Sequence, residues 1–121
     1  MKAINQMEAK AAAGPDGIPA LVLKKSKWGM AKPLAILWNA SLKQGRVPQR
    51  LKHAIVVPLL KPGKKRTSPE SYRPVSLTSH LVKVFERVMK DVLQDHLEGN
   101  GLLGKFQHGF RKSKSCLTQL F

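Results

Sequence analysis

The chain has 121 residues, of which 22 are Lys or Arg and only 7 are Asp or Glu, so its formal net charge at pH 7 is +15. This length suits one small domain, and a hydrophobic content of 42% can bury a core, which argues against wholesale disorder. The charge favours a polyanionic partner, with nucleic acid ahead of an anionic membrane surface. A single cysteine excludes an internal disulfide framework and a multi-thiolate zinc site. With no membrane-length apolar run and no apolar leader at Met1, we expect an intracellular protein.

Two short helices are predicted at the start of the chain, separated by a glycine and proline turn. Residues 2–13 are rich in helix formers and stop at Gly14-Pro15, and a second helix is expected from about residue 18 to 25. Asp16 lies between them in Gly-Pro-Asp-Gly, which is a turn sequence. We therefore expect Asp16 to act as a turn or N-cap residue rather than as a catalytic carboxylate.

Two longer helices are predicted from their apolar spacing. The first covers residues 31–44, places Trp38 in the core and ends at Gly45. The second covers residues 79–98, begins at a Thr78 or Ser79 cap and ends in Gly-Asn-Gly. Its apolar stripe needs a partner surface, and it is made by Leu81, Val84, Phe85, Val88, Met89, Val92, Leu93 and Leu97.

A long-looped β-hairpin is predicted between about residues 54 and 77. The first strand is Ala-Ile-Val-Val-Pro-Leu-Leu, where Pro58 favours a sheet edge or a bulge, and the second strand begins at Tyr72. The loop between them is strongly basic. Its cations allow three interpretations: lysines that protect a sheet edge, a nuclear import patch, or a hairpin tip that grips phosphate.

Placement of two cations favours the phosphate interpretation. Lys61 leaves the first strand and Arg73 lies within the second, so the two side chains can approach one anion from both arms of the hairpin. A lysine provides a point charge and an arginine a forked donor, which together suit phosphate oxygens. A further basic cluster near the C-terminus contains Arg111, Lys112 and Lys114. The chain then stops at Phe121 inside an apolar run, so we expect it to be part of a longer polypeptide.

Several blocks of the chain, taken in order, resemble the reverse transcriptases of non-long-terminal-repeat retrotransposons, including the jockey-like elements. The blocks are Gly14-Pro15-Asp16-Gly17-Ile18-Pro19, Val47-Pro48 with the strand up to Lys61, Tyr72-Arg73-Pro74-Val75-Ser76-Leu77, Lys83-Val84-Phe85-Glu86-Arg87, and Gln107-His108-Gly109-Phe110-Arg111. Together they cover most of the chain. The resemblance is to an RNA-directed DNA polymerase, and a nuclear location is compatible with it.

The resemblance implies a right-hand polymerase fold, of which this chain is the fingers and the start of the palm. Lys61 and Arg73 would bind the triphosphate of the incoming deoxynucleotide. The Q-x-G-F-R block would lie near the template strand and the nucleotide pocket. The residues of that block in question are Gln107, Gly109, Phe110 and Arg111. Gly109 would permit close approach, Phe110 would stack on a base or pack in the protein, and Arg111 would contact phosphate. Further cations would contact the nucleic-acid backbone: Lys64, Lys65, Arg66, Lys112 and Lys114.

The catalytic aspartates of that family have no counterpart in this chain. Polymerisation in the family uses palm aspartates that hold two Mg²⁺ ions, which activate the primer hydroxyl and stabilise the leaving pyrophosphate. Here the aspartates Asp16, Asp91 and Asp95 are predicted in a turn and a helix, and nothing acidic follows Glu98. We therefore assign no catalytic and no metal-binding residue, and we expect the chain alone to be inactive. Magnesium, RNA template, DNA primer and deoxynucleotide are implied for the complete enzyme.

The sequence thus predicts an α+β, helix-rich fold that forms one partial reverse transcriptase domain. Its parts are an N-terminal helical block at residues 1–46, the basic hairpin at 47–78, and a helix with the Q-x-G-F-R block at 79–121. A missing palm segment would complete the packing, and no membrane partner is expected. Two alternatives remain: a stand-alone basic module that binds nucleic acid, and a non-functional genomic relic.

Overall fold

The computed structural model describes residues 1–111 and 113–120. Its α-helices are α1 (Lys2–Asn5), α2 (Ala20–Lys25), α3 (Lys27–Gln44), α4 (His80–Gly99) and α5 (Cys116–Leu120), and its strands are β1 (Ala54–Leu60) and β2 (Tyr72–Thr78). Short 3₁₀ turns precede each strand, at Gln49–Lys52 and Pro69–Ser71. This mixture of helix and sheet agrees with the predicted α+β class. The chain divides into two compact units, Met1–Val88 and Met89–Phe121, which we describe separately.

The predicted hairpin is confirmed. Strands β1 and β2 pair in antiparallel register from Ala54 opposite Thr78 to Leu60 opposite Tyr72. Two prolines, Pro58 and Pro74, face each other across the ladder. Just beyond the ladder the Lys61 amide donates to the Ser71 carbonyl at 2.8 Å, so hydrogen-bonded pairs fall on odd residue numbers. The prolines therefore occupy a pair whose amides would point away from the partner strand, where a missing N–H removes no ladder bond.

The core of the first unit is assembled from α1, α2, α3 and the first turns of α4. Its buried apolar residues are Ala3, Ile4, Met7, Ala20, Leu23, Leu34, Trp38 and Val84. Trp38 of α3 stacks on Phe85 of α4, with ring centroids 4.2 Å apart and ring planes 16° from parallel. The prediction that Trp38 is a core residue is confirmed, since only 6% of its surface is exposed.

The helix predicted over residues 2–13 is wrong in its length. Helix α1 ends at Asn5, and the chain continues through turns to Gly14. The carbonyl of Met7 accepts a hydrogen bond from the Lys24 ammonium at 2.8 Å, while the Met7 side chain is buried in the core. Contacts with α2 thus replace the helical hydrogen bonds that the alanine-rich composition favours, because propensity is weaker than core packing.

Two boundaries in the next segment also differ from the sequence prediction. Pro19, and not Asp16, precedes the first residue of α2, so the N-cap role expected for Asp16 is wrong and its turn role is correct. Helix α3 begins at Lys27, four residues earlier than predicted, and it includes Pro33 in its second turn. Its end is as predicted, since Gly45 adopts the left-handed conformation (φ 61°) that a helix-terminating glycine takes.

Helix α4 forms where predicted. Ser79 caps it, because its hydroxyl oxygen accepts the Leu81 amide at 3.2 Å. Its apolar stripe divides into two parts: Val84 is buried in the first unit, whereas Val92 and Leu93 of the second unit are 63% and 57% exposed. The second part is an apolar helix face without a partner among the described residues. That a further surface packs against this stripe stays a prediction.

Candidate nucleotide and nucleic-acid contact surfaces

The hairpin register places Lys61 and Arg73 on one face. Arg73 pairs directly with Leu59, and Lys61 follows Leu59 by two residues, so both cations share the face of odd-numbered residues. Both residues are exposed. The Lys61 ammonium donates one hydrogen bond, to the carbonyl of Glu70 at 2.9 Å, which leaves two further N–H groups. Within the described residues, the Arg73 guanidinium makes no hydrogen bond or ion pair, so its full fork of donors is available.

The loop that joins the strands is ordered by its own hydrogen bonds. Pro62-Gly63 forms a turn in which the Lys64 amide donates to the Lys61 carbonyl at 3.2 Å, and Gly63 takes the positive φ (71°) that this turn requires. At the base of the loop the Tyr72 hydroxyl donates to the Arg66 carbonyl at 3.0 Å. Bonds at both ends of the loop therefore fix the directions in which the backbone presents its cations.

Glu70 provides the carboxylate of the loop. The Ser68 hydroxyl donates a hydrogen bond to the Glu70 carboxylate, and this bond, with a smaller contribution from the backbone, holds the pKa of Glu70 below its ordinary value of 4.5. The side chain is fully exposed, so solvent screens its charge. Four loop cations accompany this one carboxylate, and they are Lys61, Lys64, Lys65 and Arg66. The loop thus keeps a net positive charge at neutral pH.

The Gly-Pro-Asp-Gly turn attaches the N-terminal segment to the junction between β2 and α4. Gly14 is buried, and a Cβ built on it would lie 2.6 Å from the Thr78 carbonyl and from the Ser79 amide nitrogen. The Asp16 carboxylate accepts the Ile18 amide at 3.2 Å and the Ser79 hydroxyl at 2.5 Å. The turn therefore contacts the last residue of the strand that bears Arg73, Thr78, and the residue after it, Ser79.

The Q-x-G-F-R block, in the second unit, is an exposed turn braced from within. The Arg111 guanidinium donates to the carbonyls of Gly104 at 3.3 Å and Gln107 at 3.4 Å. The Gln107 side-chain amide donates to the Gly109 carbonyl at 3.0 Å, and that side chain is the one neighbour, at 3.7 Å, that a Cβ on Gly109 would meet. Phe110 takes a positive φ (61°) and is 95% exposed, so its ring is not packed within the described part of the chain.

Comparison with known proteins identifies relatives that match most of this chain. It is 35% identical over 120 residues, or 99% of its length, to a probable RNA-directed DNA polymerase from transposon BS of Drosophila melanogaster. It is 33% identical over 87 residues to the corresponding protein of the X-element from the same species, and 34% identical over 87 residues to that of the mobile element jockey of Drosophila funebris. No protein-family model matches the chain.

The chain belongs to the family of non-LTR retrotransposon reverse transcriptases. It spans only 13% of the length of the transposon BS protein and 10% of the jockey protein, although 72% of the chain takes part in the jockey match. The resemblance found in the sequence blocks is thereby confirmed. The family membership concerns one segment of much longer relatives.

The remaining cations assigned to this reverse transcriptase segment lie in two places. Lys64, Lys65 and Arg66 are exposed on the hairpin loop, and Lys114 is exposed in the second unit. Lys112 lies outside the described residues. The structure does not test their contacts with nucleic acid, which stay predictions.

Among residues 1–111 and 113–120, no three His, Cys, Asp or Glu side chains come close enough together to hold a metal ion. In the same residues, no helix combines the length and apolar content needed to cross a membrane.

Two features of the segment were not found from the sequence. The hydrogen bond between Asp16 and Ser79 joins residues 63 positions apart, and no local pattern reports such a pair. His80 is 1% exposed, although it belongs to none of the motifs that predict a function. Its position as the first residue of an amphipathic helix, directly after the cap, was the one indication that it could face inward.

Proposed function

We propose that the chain is the part of an RNA-directed DNA polymerase that holds the incoming nucleotide and the template, corresponding to the fingers and the start of the palm. The observation that carries this proposal is the shared face of Lys61 and Arg73 on an exposed basic hairpin. Family membership supports it, since the relatives are described as RNA-directed DNA polymerases. The domain boundaries expected from the sequence, with the hairpin at residues 47–78, belong to the same proposal.

In this proposal Lys61 and Arg73 bind the triphosphate of a deoxynucleotide from one side. Arg73 supplies a planar fork of donors to two phosphate oxygens, and Lys61 supplies a point charge to a third. Lys61 gives only one of its three N–H groups to the Glu70 carbonyl, so phosphate can accept from the other two with only a small change in the lysine side chain. The loop cations Lys64, Lys65 and Arg66 then attract the polyanion without specifying it.

In this proposal the Q-x-G-F-R turn contacts the template, and its residues have different roles. Phe110 offers an exposed aromatic ring, which suits stacking on a base. Arg111 already donates to two backbone carbonyls, so it braces the turn and can offer only its remaining donors to phosphate. Gln107 likewise holds the turn through Gly109.

The chemistry of polymerisation is assigned to other segments of the complete protein. Mg²⁺ supplies Lewis-acid activation in such enzymes, and the residues described here offer no cluster of carboxylates to hold it. This chain would bind and orient the substrate, while palm aspartates outside it would hold the metal. RNA template, DNA primer and deoxynucleotide are the partners that this role requires.

A chimeric polymerase tests the nucleotide site. The chain would replace the matching 120-residue segment of the transposon BS protein, and primer extension would be measured against deoxynucleotide concentration. Arg73→Ala is expected to raise the KM for nucleotide by about 10- to 100-fold, the effect of losing a charge-assisted, forked phosphate contact. Arg73→Lys should recover only part of this loss, because a lysine keeps the charge but not the fork.

Arg50→Ala is the matched control, since Arg50 is an exposed arginine on the 3₁₀ turn before β1. It should leave the KM for nucleotide within about twofold. If the Arg73 and Arg50 variants raise the KM for nucleotide equally, the proposal is contradicted, because Arg73 would then act only as one of many surface charges.

The net charge of +15 favours a second candidate function, a stand-alone module that binds nucleic acid. Its test is the salt dependence of RNA binding by the isolated chain, followed by fluorescence anisotropy. If Lys64 and Lys65 contact a single strand, changing both to glutamine should lower the slope of log K against log salt by about 1.4, or about 0.7 per contact. In this role Arg73→Ala should weaken RNA binding no more than a loop lysine variant does. If Arg73→Ala weakens RNA binding and the loop lysine variants do not, the polymerase role is favoured.

A further inference from the structure

A cavity of about 180 Å³ lies between the N-terminal segment and the first turns of α4. One wall is made by Met7, Glu8 and Ala11, and the other by His80, Lys83 and Arg87. The last three residues are spaced by three and four positions along α4, so they lie on one helix face. All of these residues belong to the first compact unit. The cavity is separate from the hairpin face that carries Lys61 and Arg73.

His80 lines this cavity with an unsatisfied imidazole. It is 1% exposed, and neither Nδ1 nor Nε2 has a hydrogen-bond partner in the described part of the protein. An imidazole always carries at least one N–H, and a buried polar group without a partner is costly. The described residues provide no such partner, and each ring nitrogen has less than 1 Å² of accessible surface, so the ring forms part of the cavity wall.

The charge around the cavity favours an anion. Lys83 is partly buried and has no hydrogen bond or ion pair from its side chain in the described residues. Arg87 donates one N–H to the Ala3 carbonyl at 3.2 Å, which leaves four N–H groups. Glu8 is the one carboxylate in the lining, so two cations outnumber it. The N-terminal end of α4 adds a partial positive charge beside His80.

We propose that this cavity binds a phosphate group, through Lys83 and the free donors of Arg87, with the buried His80 ring beside it. A volume of about 180 Å³ is well above what a single buried water needs, so the cavity can admit a tetrahedral oxyanion. The phosphate can be free inorganic phosphate or a phosphodiester of an RNA strand, because both present the same oxygens. This inference does not depend on the proposed nucleotide site.

The test is a phosphate titration of the 121-residue chain, followed through the ring nitrogens of His80 in long-range ¹H–¹⁵N NMR spectra. Inorganic phosphate should shift the His80 resonances saturably, whereas sodium chloride at the same ionic strength should not. Lys83→Gln should raise the Kd about tenfold, the effect of one lost charge-assisted hydrogen bond. Lys90→Gln, at an exposed position of the same helix outside the cavity lining, should leave the Kd unchanged.

A second variant gives an effect of opposite sign. Glu8→Gln removes the carboxylate of the lining, so it should lower the Kd for phosphate. A short single-stranded RNA that shifts the same His80 resonances and competes with phosphate would identify the phosphodiester as the source. A response to inorganic phosphate alone would identify the free ion.

Unchanged His80 resonances with both phosphate and RNA would overturn the proposal and leave water as the occupant. So would a Glu8→Gln variant that binds phosphate more weakly, or a Lys90→Gln variant that weakens binding as much as Lys83→Gln does. If the chain self-associates at NMR concentrations, the midpoint of thermal unfolding at micromolar protein gives the same comparison, because a ligand bound to the folded state raises it.

Discussion

The contact between Gly14 and the β2–α4 junction predicts a steric cost for Gly14→Ala. An added Cβ would lie 2.6 Å from three backbone atoms, the carbonyl carbon and oxygen of Thr78 and the amide nitrogen of Ser79. Backbone atoms of a strand end and a helix start cannot rotate away as the end of a side chain can. Overpacking of this kind costs about 1–3 kcal/mol, and the rigid neighbours place Gly14→Ala at about 2 kcal/mol or above.

Urea unfolding followed by tryptophan fluorescence measures this cost. Trp28 is 80% exposed and Trp38 is buried against Phe85, so a Trp28→Phe background leaves Trp38 as the reporter of core unfolding. With an m value of about 1.5 kcal/mol/M, a loss of 2 kcal/mol lowers the unfolding midpoint by about 1.3 M.

Gly29→Ala is the matched control, because it makes the same chemical change inside helix α3. Nothing lies within 4 Å of a Cβ at Gly29, and its φ is not in the left-handed region. Alanine there should stabilise the protein by about 0.5–1 kcal/mol through higher helix propensity. If Gly14→Ala is as stable as the parent, or gains as much as Gly29→Ala, the close approach of the Gly-Pro-Asp-Gly turn to the junction is refuted.

Three further predictions follow from individual contacts. Asp16→Asn and Ser79→Ala should each lower the free energy of unfolding by about 1 kcal/mol, and the double variant should show a coupling of about 0.5–1 kcal/mol; strictly additive losses would contradict their hydrogen bond. Ser68→Ala should raise the pKa of Glu70 toward 4.5 in a carboxyl NMR titration, because it removes the main cause of the lowered pKa. Because folding lowers this pKa, any stabilisation from Glu70 is present above its pKa in the unfolded state and is lost as the pH falls through its pKa in the folded state. A Glu70 pKa that does not change in the Ser68→Ala variant would exclude the Ser68 hydrogen bond. Val92→Lys, at a position 63% exposed, should reduce self-association in size-exclusion chromatography while changing stability by less than about 0.5 kcal/mol; a large loss of stability would show that Val92 is buried.

Local patterns were enough to predict the elements whose causes are local. The hairpin follows from a β-branched run, two prolines and a glycine-containing loop, and its observed strands differ from the prediction by one residue at Thr78. Helix α4 follows from its apolar spacing, the Ser79 cap and the Gly-Asn-Gly sequence at its end. Because strand alternation depends only on register, Lys61 and Arg73 could also be expected near each other.

Competition between local preference and packing caused the errors. The alanine-rich segment after α1 has helical propensity, but the Met7 carbonyl bonds to Lys24 and Gly14 contacts Thr78, so the chain leaves the helix. The helix predicted from residue 31 begins instead at Lys27. Phe110 could stack or pack according to its sequence, and the structure leaves it exposed.

Residue order alone was enough to identify the family of this protein, to predict its basic hairpin and to show that the chain has no Asp-Asp pair. Tertiary structure decided which polar groups meet across the fold. The Asp16–Ser79 bond and the cavity beside His80 join segments more than 60 residues apart, and only the packing of the N-terminal segment against α4 brings them together. A sequence records which groups are present, whereas contact between distant segments depends on how their apolar faces are buried together.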